Sequence, residues 1–354
     1  MSIFLHSHSQ QLAAILKDGI LGGRWTDRLP GVLRLEEELE VNRNTIQAAL
    51  RILEKEGLLE SQGLGRPRRI ILPNHFKAPS KRIVILLYEE ADRTTHYMVE
   101  LRHAIQEAGH IAEFASSTMQ DLAMNVKKVA KFVEKTNADA WVIKSGTREI
   151  LEWFSGYSRP AFAFFGRRKQ VPLASTGPDK TLAIEEALRC LIELGHRRIV
   201  MLVREGRRKP KPGSIERHFL QLLTQYQISS SSYNLPDWEE HTDGFHQCIE
   251  GLFKYTPPTA LIIDEVPMFL AAQQRLAQLG QIVPKDVSMI CIDGDPGFSW
   301  FKPAISHIHW SPHPMVKRIV AWANHVATGV NDKSKVEYKA DFVRGGTIGP
   351  ARQP

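Results

Sequence analysis

The chain has 354 residues, enough for two or three domains, and its 43% hydrophobic and 24% charged residues exclude a disordered or collagen-like protein. Its three scattered cysteines predict a reducing compartment rather than a disulfide framework or a zinc cluster. We find no signal-peptide pattern and no apolar run of membrane-spanning length, so we expect a cytoplasmic protein without a membrane contact.

The formal net charge of +7 is unevenly distributed along the chain. Residues 1–82 hold 13 Lys and Arg against 9 Asp and Glu, a net of +4, whereas the other 272 residues hold 33 against 30. A small basic module attached to a nearly neutral body is typical of nucleic-acid-binding proteins. A chance imbalance of surface charge is the alternative at this point.

Three short helices are predicted in the first sixty residues. Apolar side chains recur on one face over Gln10–Leu21, over Leu33–Leu39 and over Arg43–Glu56. The side-chain oxygen of Asn42 can cap the third helix, and Gly57 can end it in the left-handed conformation.

Two short strands follow the third helix and complete a winged helix-turn-helix. They cover Leu58–Ser61 and Arg69–Leu72 and are joined through Gly63 and Gly65. Glycines in this loop allow the backbone to approach a phosphate or a minor groove.

The third helix has a polar face beside its apolar one. Arg43, Gln47 and Arg51 repeat at a spacing of four with Asn44 beside them, and such side chains can reach base edges in a major groove. A solvated helix face is the alternative, and the basic wing favours the DNA-binding interpretation.

The same region resembles the GntR-type winged helix over residues 9–72. The resemblance is carried by Leu29-Pro30, Val41–Leu50, Leu53–Leu59 and Gln62–Gly65, which occur in the family's order and spacing. It implies that Arg43, Thr45 and the wing glycines contact DNA. The predicted DNA-binding residues are Arg43, Asn44, Thr45, Gln47, Arg51, Gly63, Gly65 and Arg66.

Two departures from this family prevent any inference about the operator sequence. Gly31-Val32-Leu33 replaces the family's Ser-Glu-Arg and removes polar contacts, and Gln47 stands where an arginine is usual.

Beyond the winged helix, two prolines and no apolar period predict a linker, followed by alternating strands and helices. We assign residues 1–73 to the winged helix, 74–80 to the linker and 81–354 to the larger body. The predicted strands are Ile83–Tyr88, Ile111–Phe114, Ala140–Ile143, Ala161–Phe165, Ile199–Val203, Ala260–Ile263 and Ser288–Ile292. Among the predicted helices are Tyr97–Ala108, Leu122–Lys135, Leu182–Leu194 and Met268–Leu279.

Near-continuous apolar strands between helices predict parallel sheets covered on both faces, and ligands of such folds bind beyond the carboxyl ends of the strands. The length favours two similar lobes. We place the first lobe at about 81–177 and 295–325, and the second at about 178–294 and 326–354.

This body resembles the effector-binding domain of the LacI/GalR type, which is related to periplasmic sugar-binding proteins. Leu191–Ile199, Pro258–Asp264 and Gly280–Ser288 carry the resemblance, together with Asp179 and Asp293. It implies a two-lobed α/β domain that closes around an effector in a cleft, and a dimer contact on the sensor lobes.

By that resemblance, Asp293 and Arg217 hold hydroxyl or carboxyl groups of the effector, and Asp264 and Asp179 lie near the cleft. Phe298, Trp300 and Trp153 could stack on a sugar ring, although aromatic side chains more often pack in the core. The alternative is a strand-end cap for Asp293 and a surface helix charge for Arg217, because His218-Phe219 replaces the family's Gly-Phe.

We find no catalytic or phosphate-binding signature and no metal-ligand spacing, and we expect no cofactor, no metal and no enzymatic activity. The sequence predicts a homodimeric transcription regulator, more plausibly a repressor than an activator. Its partners are double-stranded, pseudo-palindromic operator DNA and a sugar-like effector. A solute sensor whose winged helix mediates protein contacts and an α/β enzyme with a regulatory module remain as alternatives.

Overall fold

A computed structural model describes residues 7–21, 25, 28–63, 66–71 and 79–352 of the chain. It divides into two compact units. The first unit comprises residues 1–164, 171–175 and 315–335, and it contains the N-terminal winged helix and one lobe. The second comprises residues 165–170, 176–314 and 336–354 and forms the other lobe. The winged helix and both lobes each have their own hydrophobic core.

The N-terminal module has the predicted three helices and two-stranded wing. Its elements are α1 (His8–Leu21), α2 (Val32–Leu39), α3 (Arg43–Lys55), β1 (Leu59–Glu60) and β2 (Arg69–Ile70). Leu16, Leu35 and Ile46 are fully buried because one apolar face of each helix meets the others. The wing strands are antiparallel and place Leu59 opposite Ile70.

The first lobe is an α/β layer structure built on a six-stranded sheet in the order β12-β7-β6-β5-β3-β4. The pairs β3–β4, β3–β5 and β5–β6 are parallel, as expected for strands that alternate with helices along the chain. Its strands are β3 (Arg82–Leu86), β4 (Ile111–Phe114), β5 (Ala140–Lys144), β6 (Ala161–Phe164), β7 (Ala174–Asp179) and β12 (Lys335–Lys339). Its helices are α4 (His96–Glu107), α5 (Val126–Lys135), α6 (Arg148–Gly156) and α12 (His313–Ala327).

The second lobe repeats this design on a five-stranded sheet in the order β13-β11-β10-β9-β8. The four strands from β8 to β11 are parallel, and β13 is an antiparallel edge strand. Its strands are β8 (Ile199–Leu202), β9 (Ala260–Ile263), β10 (Ser288–Cys291), β11 (Ser306–His309) and β13 (Asp341–Val343). Its helices are α7 (Thr181–Glu193), α8 (Glu205–Arg208), α9 (Ser214–Gln225), α10 (Thr242–Tyr255) and α11 (Val266–Gln278).

The predicted fold class, a winged helix followed by parallel α/β lobes, is confirmed. The structure differs in the assignment of residues 295–314, which we expected in the first lobe and which lie in the second unit. The reason is that β11 pairs in parallel with β10, so the chain leaves this sheet only after β11. No helix among the described residues is long and apolar enough to cross a membrane.

A buried charge network secures the end of α12 in the first lobe. Two nitrogens of Arg318 lie 2.8 and 2.9 Å from the Asp332 carboxylate, and Nδ1 of His325 lies 2.8 Å from it. Burial alone would raise the pKa of Asp332. Hydrogen bonds from the Ser334 amide, His325 and Arg318 outweigh that effect and lower the pKa to about 2.

This network predicts an acid-dependent contribution to stability. The pKa of Asp332 is lower in the folded chain than its ordinary value of 3.8, so ionised Asp332 stabilises the fold above that value. The contribution is about 2 kcal/mol and is lost as the pH falls towards about 2. We expect Asp332→Asn to destabilise the first lobe at pH 7 and to have much less effect near pH 2, measured by urea denaturation. An equal loss at both pH values would contradict the assignment.

Candidate DNA interface and effector site

The recognition helix α3 begins at a well-formed cap. Oδ1 of Asn42 accepts hydrogen bonds from both the amide and the hydroxyl of Thr45, each 3.0 Å long. The cap satisfies an amide that would otherwise lack a partner in the first turn. The hydroxyl of Thr45 is therefore already used to hold the start of the helix.

The polar face of α3 is presented outward. Ile46, Ala49, Leu50 and Leu53 are buried on the other face. Arg43, Asn44 and Arg51 are exposed and Gln47 is half-buried. Within the described part of the chain, these four side chains form no hydrogen bond or ion pair. Their hydrogen-bonding groups are available to an external partner.

The wing is fastened to the recognition helix and carries further positive charge. Nε of Arg68 lies 2.5 Å from Oε1 of Glu54 on α3, which fixes the base of the wing. Gly63 has φ +100°, a left-handed conformation that favours glycine, and the amide of Arg66 donates to its carbonyl at 3.3 Å. Arg66 and Arg69 are exposed. The predicted contact Gly65 lies outside the described residues.

In the second lobe, charged side chains gather where the parallel strands β8, β9 and β10 end. Asp264 follows β9 and is 4% exposed, and its carboxylate forms an ion pair with Arg207. Nη2 of Arg207 also lies 2.6 Å from Oε1 of Glu216, which is 2% exposed. One guanidinium therefore neutralises two buried carboxylates.

Asp293, which follows β10, has its own set of donors. The indole Nε1 of Trp310 donates to its Oδ1, and the amide of Gly294 donates to the same oxygen at 3.3 Å. Nζ of Lys180 is 3.5 Å from that oxygen and donates to the carbonyl of Ile292 at 2.8 Å. Burial lowers the pKa of Lys180, an effect that the negative charge of Asp293 opposes.

A third set of charges lies beside Asp264. Two nitrogens of Arg204, Nη2 and Nε, lie 2.8 and 3.1 Å from Oε2 of Glu265, and Nη1 lies 3.4 Å from Oε1 of Glu240. We call the eight side chains of these three sets the strand-end cluster. They are Lys180, Arg204, Arg207, Glu216, Glu240, Asp264, Glu265 and Asp293. The cluster holds five carboxylates and three cations, so it carries an excess of negative charge.

Two parts of the chain match families of known proteins. Residues 8–65 match the family of bacterial regulatory proteins of the gntR type, and residues 188–348 match the periplasmic binding protein-like domain. The chain joins a gntR-type DNA-binding domain to a periplasmic-binding-protein-like domain. Both resemblances predicted from the sequence are thereby confirmed.

Individual relatives are transcription regulators. The chain is 24% identical over 256 residues to the repressor PurR of Pasteurella multocida, covering 68% of this chain and 72% of the relative. A LacI family regulator of Enterococcus faecium with bound ribose is similar in structure, with a TM-score of 0.58 and 16% identity. That likeness covers 76% of this chain and 99% of the other. A CelR–cellobiose complex gives a TM-score of 0.59 at 16% identity, covering 87% and 91%.

Within the periplasmic-binding-protein-like domain, the structure brings only some predicted effector residues together. Asp264 and Asp293 lie at the ends of adjacent strands. Asp179 instead accepts hydrogen bonds from the amide and hydroxyl of Thr181, at 3.1 and 2.6 Å, and these lower its pKa. Exposed Arg217 donates to the carbonyl of Pro212 at 2.5 Å.

The three predicted stacking residues also lie outside the strand-end cluster. Trp153 belongs to the first lobe, where it stacks on Tyr157 with ring centroids 4.9 Å apart. Phe298 is 6% exposed and packs in the core of the second lobe against Phe269 and His307, with ring centroids 6.3 and 5.2 Å away. Trp300 is 89% exposed.

Seven residues of the second lobe were missed as site candidates. They are Trp310 and the six members of the strand-end cluster other than Asp264 and Asp293, namely Lys180, Arg204, Arg207, Glu216, Glu240 and Glu265. Arg207 and Asp264 are 57 residues apart in sequence, so no local pattern connects them. A buried carboxylate such as that of Asp264 requires a cationic partner, but the local sequence does not identify which residue supplies it. Among the described residues, no group of His, Cys, Asp and Glu is arranged to hold a metal ion.

Proposed function

We propose that the chain is a cytoplasmic transcription repressor that binds operator DNA through α3 and the wing. The observation that carries this proposal is the row of exposed Arg43, Asn44 and Arg51, with Gln47 beside them, on a helix capped at its start. Long donors at the beginning of a recognition helix read base edges, and cations on the wing bind phosphates. The matched gntR-type domain supports the same function.

The regulator acts as a homodimer on a pseudo-palindromic site, because two equivalent half-sites require two winged helices. A dimer related by a two-fold axis presents the same α3 to each half-site.

The effector is a sugar or sugar derivative that binds at the strand-end cluster. Carboxylates outnumber cations there, so the cluster favours a ligand that donates hydrogen bonds through hydroxyl groups. The relatives whose structures contain ribose and cellobiose support this ligand class. Effector binding changes operator affinity by altering the arrangement of the lobes, a coupling of about 1–3 kcal/mol in such systems.

Calorimetry with a panel of neutral sugars that includes ribose and cellobiose tests the effector site. We expect one member to bind the wild-type chain. Asp293→Ala should weaken its binding at least about tenfold, because a charge-assisted hydrogen bond is lost. Asp243→Ala, an exposed carboxylate on α10, is the matched control and should bind normally. Equal binding by wild type and Asp293→Ala would show that the effector binds elsewhere.

A further inference from the structure

The first lobe contains a cavity of about 350 Å³ that is distinct from the strand-end cluster. It is bounded by the end of α6, the first residues of β6 and β7, and the second half of α12 with the segment that follows it. It therefore lies at the amino ends of β6 and β7, whereas the strand-end cluster lies at carboxyl ends in the other lobe. Its volume is within the usual range of small-molecule sites, roughly 300–1,000 Å³.

The floor of this cavity is apolar but holds one unused donor. Phe154, Leu173 and Trp322 line it and are 1%, 6% and 2% exposed. Across the described residues, the indole N–H of Trp322 has no hydrogen-bond acceptor. Unlike the fully buried indole nitrogens of Trp141 and Trp238, the nitrogen of Trp322 keeps some accessible surface, so a ligand in the cavity can supply its acceptor.

The rim of the cavity is positively charged. Nη1 of Arg159 donates to the carbonyls of Thr136 and Ala138, and within the described residues its Nη2 and Nε have no partner. Lys333 is exposed and forms no ion pair with a described residue. The carboxylate of Asp332, also on the rim, is already neutralised by Arg318 and His325.

We propose that this cavity binds a small organic anion with an apolar body. The body lies against Phe154, Leu173 and Trp322, and a carboxylate or phosphate group meets Arg159 and Lys333. The free edge of a guanidinium pairs with either acid group through two parallel hydrogen bonds. The acid group also provides an acceptor for the N–H of Trp322.

The position of Arg159 connects this site to the root of the linker. Arg159 holds the carbonyl of Ala138, and the next residue, Asp139, accepts a hydrogen bond of 2.8 Å from the amide of Arg82. Arg82 is the first residue of β3 and lies two positions after residue 80, where the predicted linker ends. An anion that engages Arg159 therefore acts on the point where the linker enters the lobe. If the proposed function holds, the anion also changes operator affinity.

Calorimetry on the full chain tests the site with benzoate, phenyl phosphate and the neutral isostere benzamide, each up to about 10 mM, where weak ligands of millimolar Kd are still detected. We expect saturable binding of at least one anion and none of benzamide. The better-bound anion identifies carboxylate or phosphate as the preferred group. Absence of saturable binding by both anions, or equally tight binding of benzamide, would overturn the proposal.

Two variants locate the bound anion. Lys333→Glu should weaken its binding about tenfold or more, and Trp322→Phe, which keeps the ring and removes the N–H, should weaken it several-fold. Lys285→Glu, an exposed charge reversal in the second unit, is the control and should bind as wild type does. Normal affinity in Lys333→Glu would rule out this cavity.

Different measurements would contradict the anion site and the proposed repressor function. Anion binding is measured without DNA, and it should persist in Asp293→Ala, which loses only the sugar. Operator affinity with and without the anion is then measured by fluorescence anisotropy. Anion binding that leaves operator affinity unchanged would overturn the connection to the linker but not the binding site.

Discussion

Arg43→Ala is expected to lower specific operator affinity by about 1–3 kcal/mol, or about 5- to 150-fold, if Arg43 reads a base. The side chain is exposed at the first position of α3, and no described residue competes for its guanidinium. Fluorescence anisotropy with the DNA upstream of the chain's own gene measures the effect at fixed salt concentration, because phosphate contacts make the affinity salt-dependent.

Unrelated DNA distinguishes a base contact from a phosphate contact. Loss of a base contact lowers affinity for the operator and leaves non-specific binding nearly unchanged, whereas loss of a phosphate contact weakens both. Arg189→Ala, which removes an exposed arginine from α7 of the second lobe, is the control and should retain wild-type affinity. Wild-type operator affinity in Arg43→Ala would exclude Arg43 from the interface.

Arg207→Met should destabilise the second lobe by about 3–5 kcal/mol, because it leaves two buried carboxylates without their cation. The side chains of Asp264 and Glu216 are only 5% and 3% exposed, so water cannot replace the guanidinium. Urea denaturation monitors the loss.

Arg217, on α9, supplies a matched control for this variant. Arg217→Met removes an exposed side chain that donates to the carbonyl of Pro212, so it should change stability by less than about 0.5 kcal/mol. Adding Glu216→Gln to Arg207→Met should recover part of the loss, since one buried charge is removed. Equal stability of Arg207→Met and Arg217→Met would show that the ion pairs do not hold the lobe together.

Much of the secondary structure could be predicted from local patterns. The strand Ala260–Ile263 was predicted with its observed limits, because a continuous apolar run marks a buried parallel strand. Ile111–Phe114 was also predicted with its observed limits, although it is an edge strand in which Ile111 and Glu113 are exposed. In contrast, β12 and β13 were not predicted. Their side chains are mostly exposed, and charged residues interrupt any apolar run, so these edge strands lack an apolar signal.

The candidate DNA interface was predicted more completely than the effector site. Arg43, Gln47 and Arg51 recur on one helix, and the period of the helix alone places them on one side. The charged groups around Asp264 come from separate segments that meet only when the sheet forms. Their partners depend on strand order rather than on sequence neighbours.

The sequence by itself determined the winged helix and the α/β body, because apolar periodicity and capping are encoded by residues a few positions apart. Most of the predicted linker lies outside the described residues. Only the tertiary structure decided which charges are neutralised internally. It paired Arg207 with Asp264 and Glu216, buried Phe298, exposed Trp300 and left the donors of Arg43 without a described partner. The +7 net charge could not distinguish these cases, because a paired cation and an unpaired one count equally in a sum over the sequence.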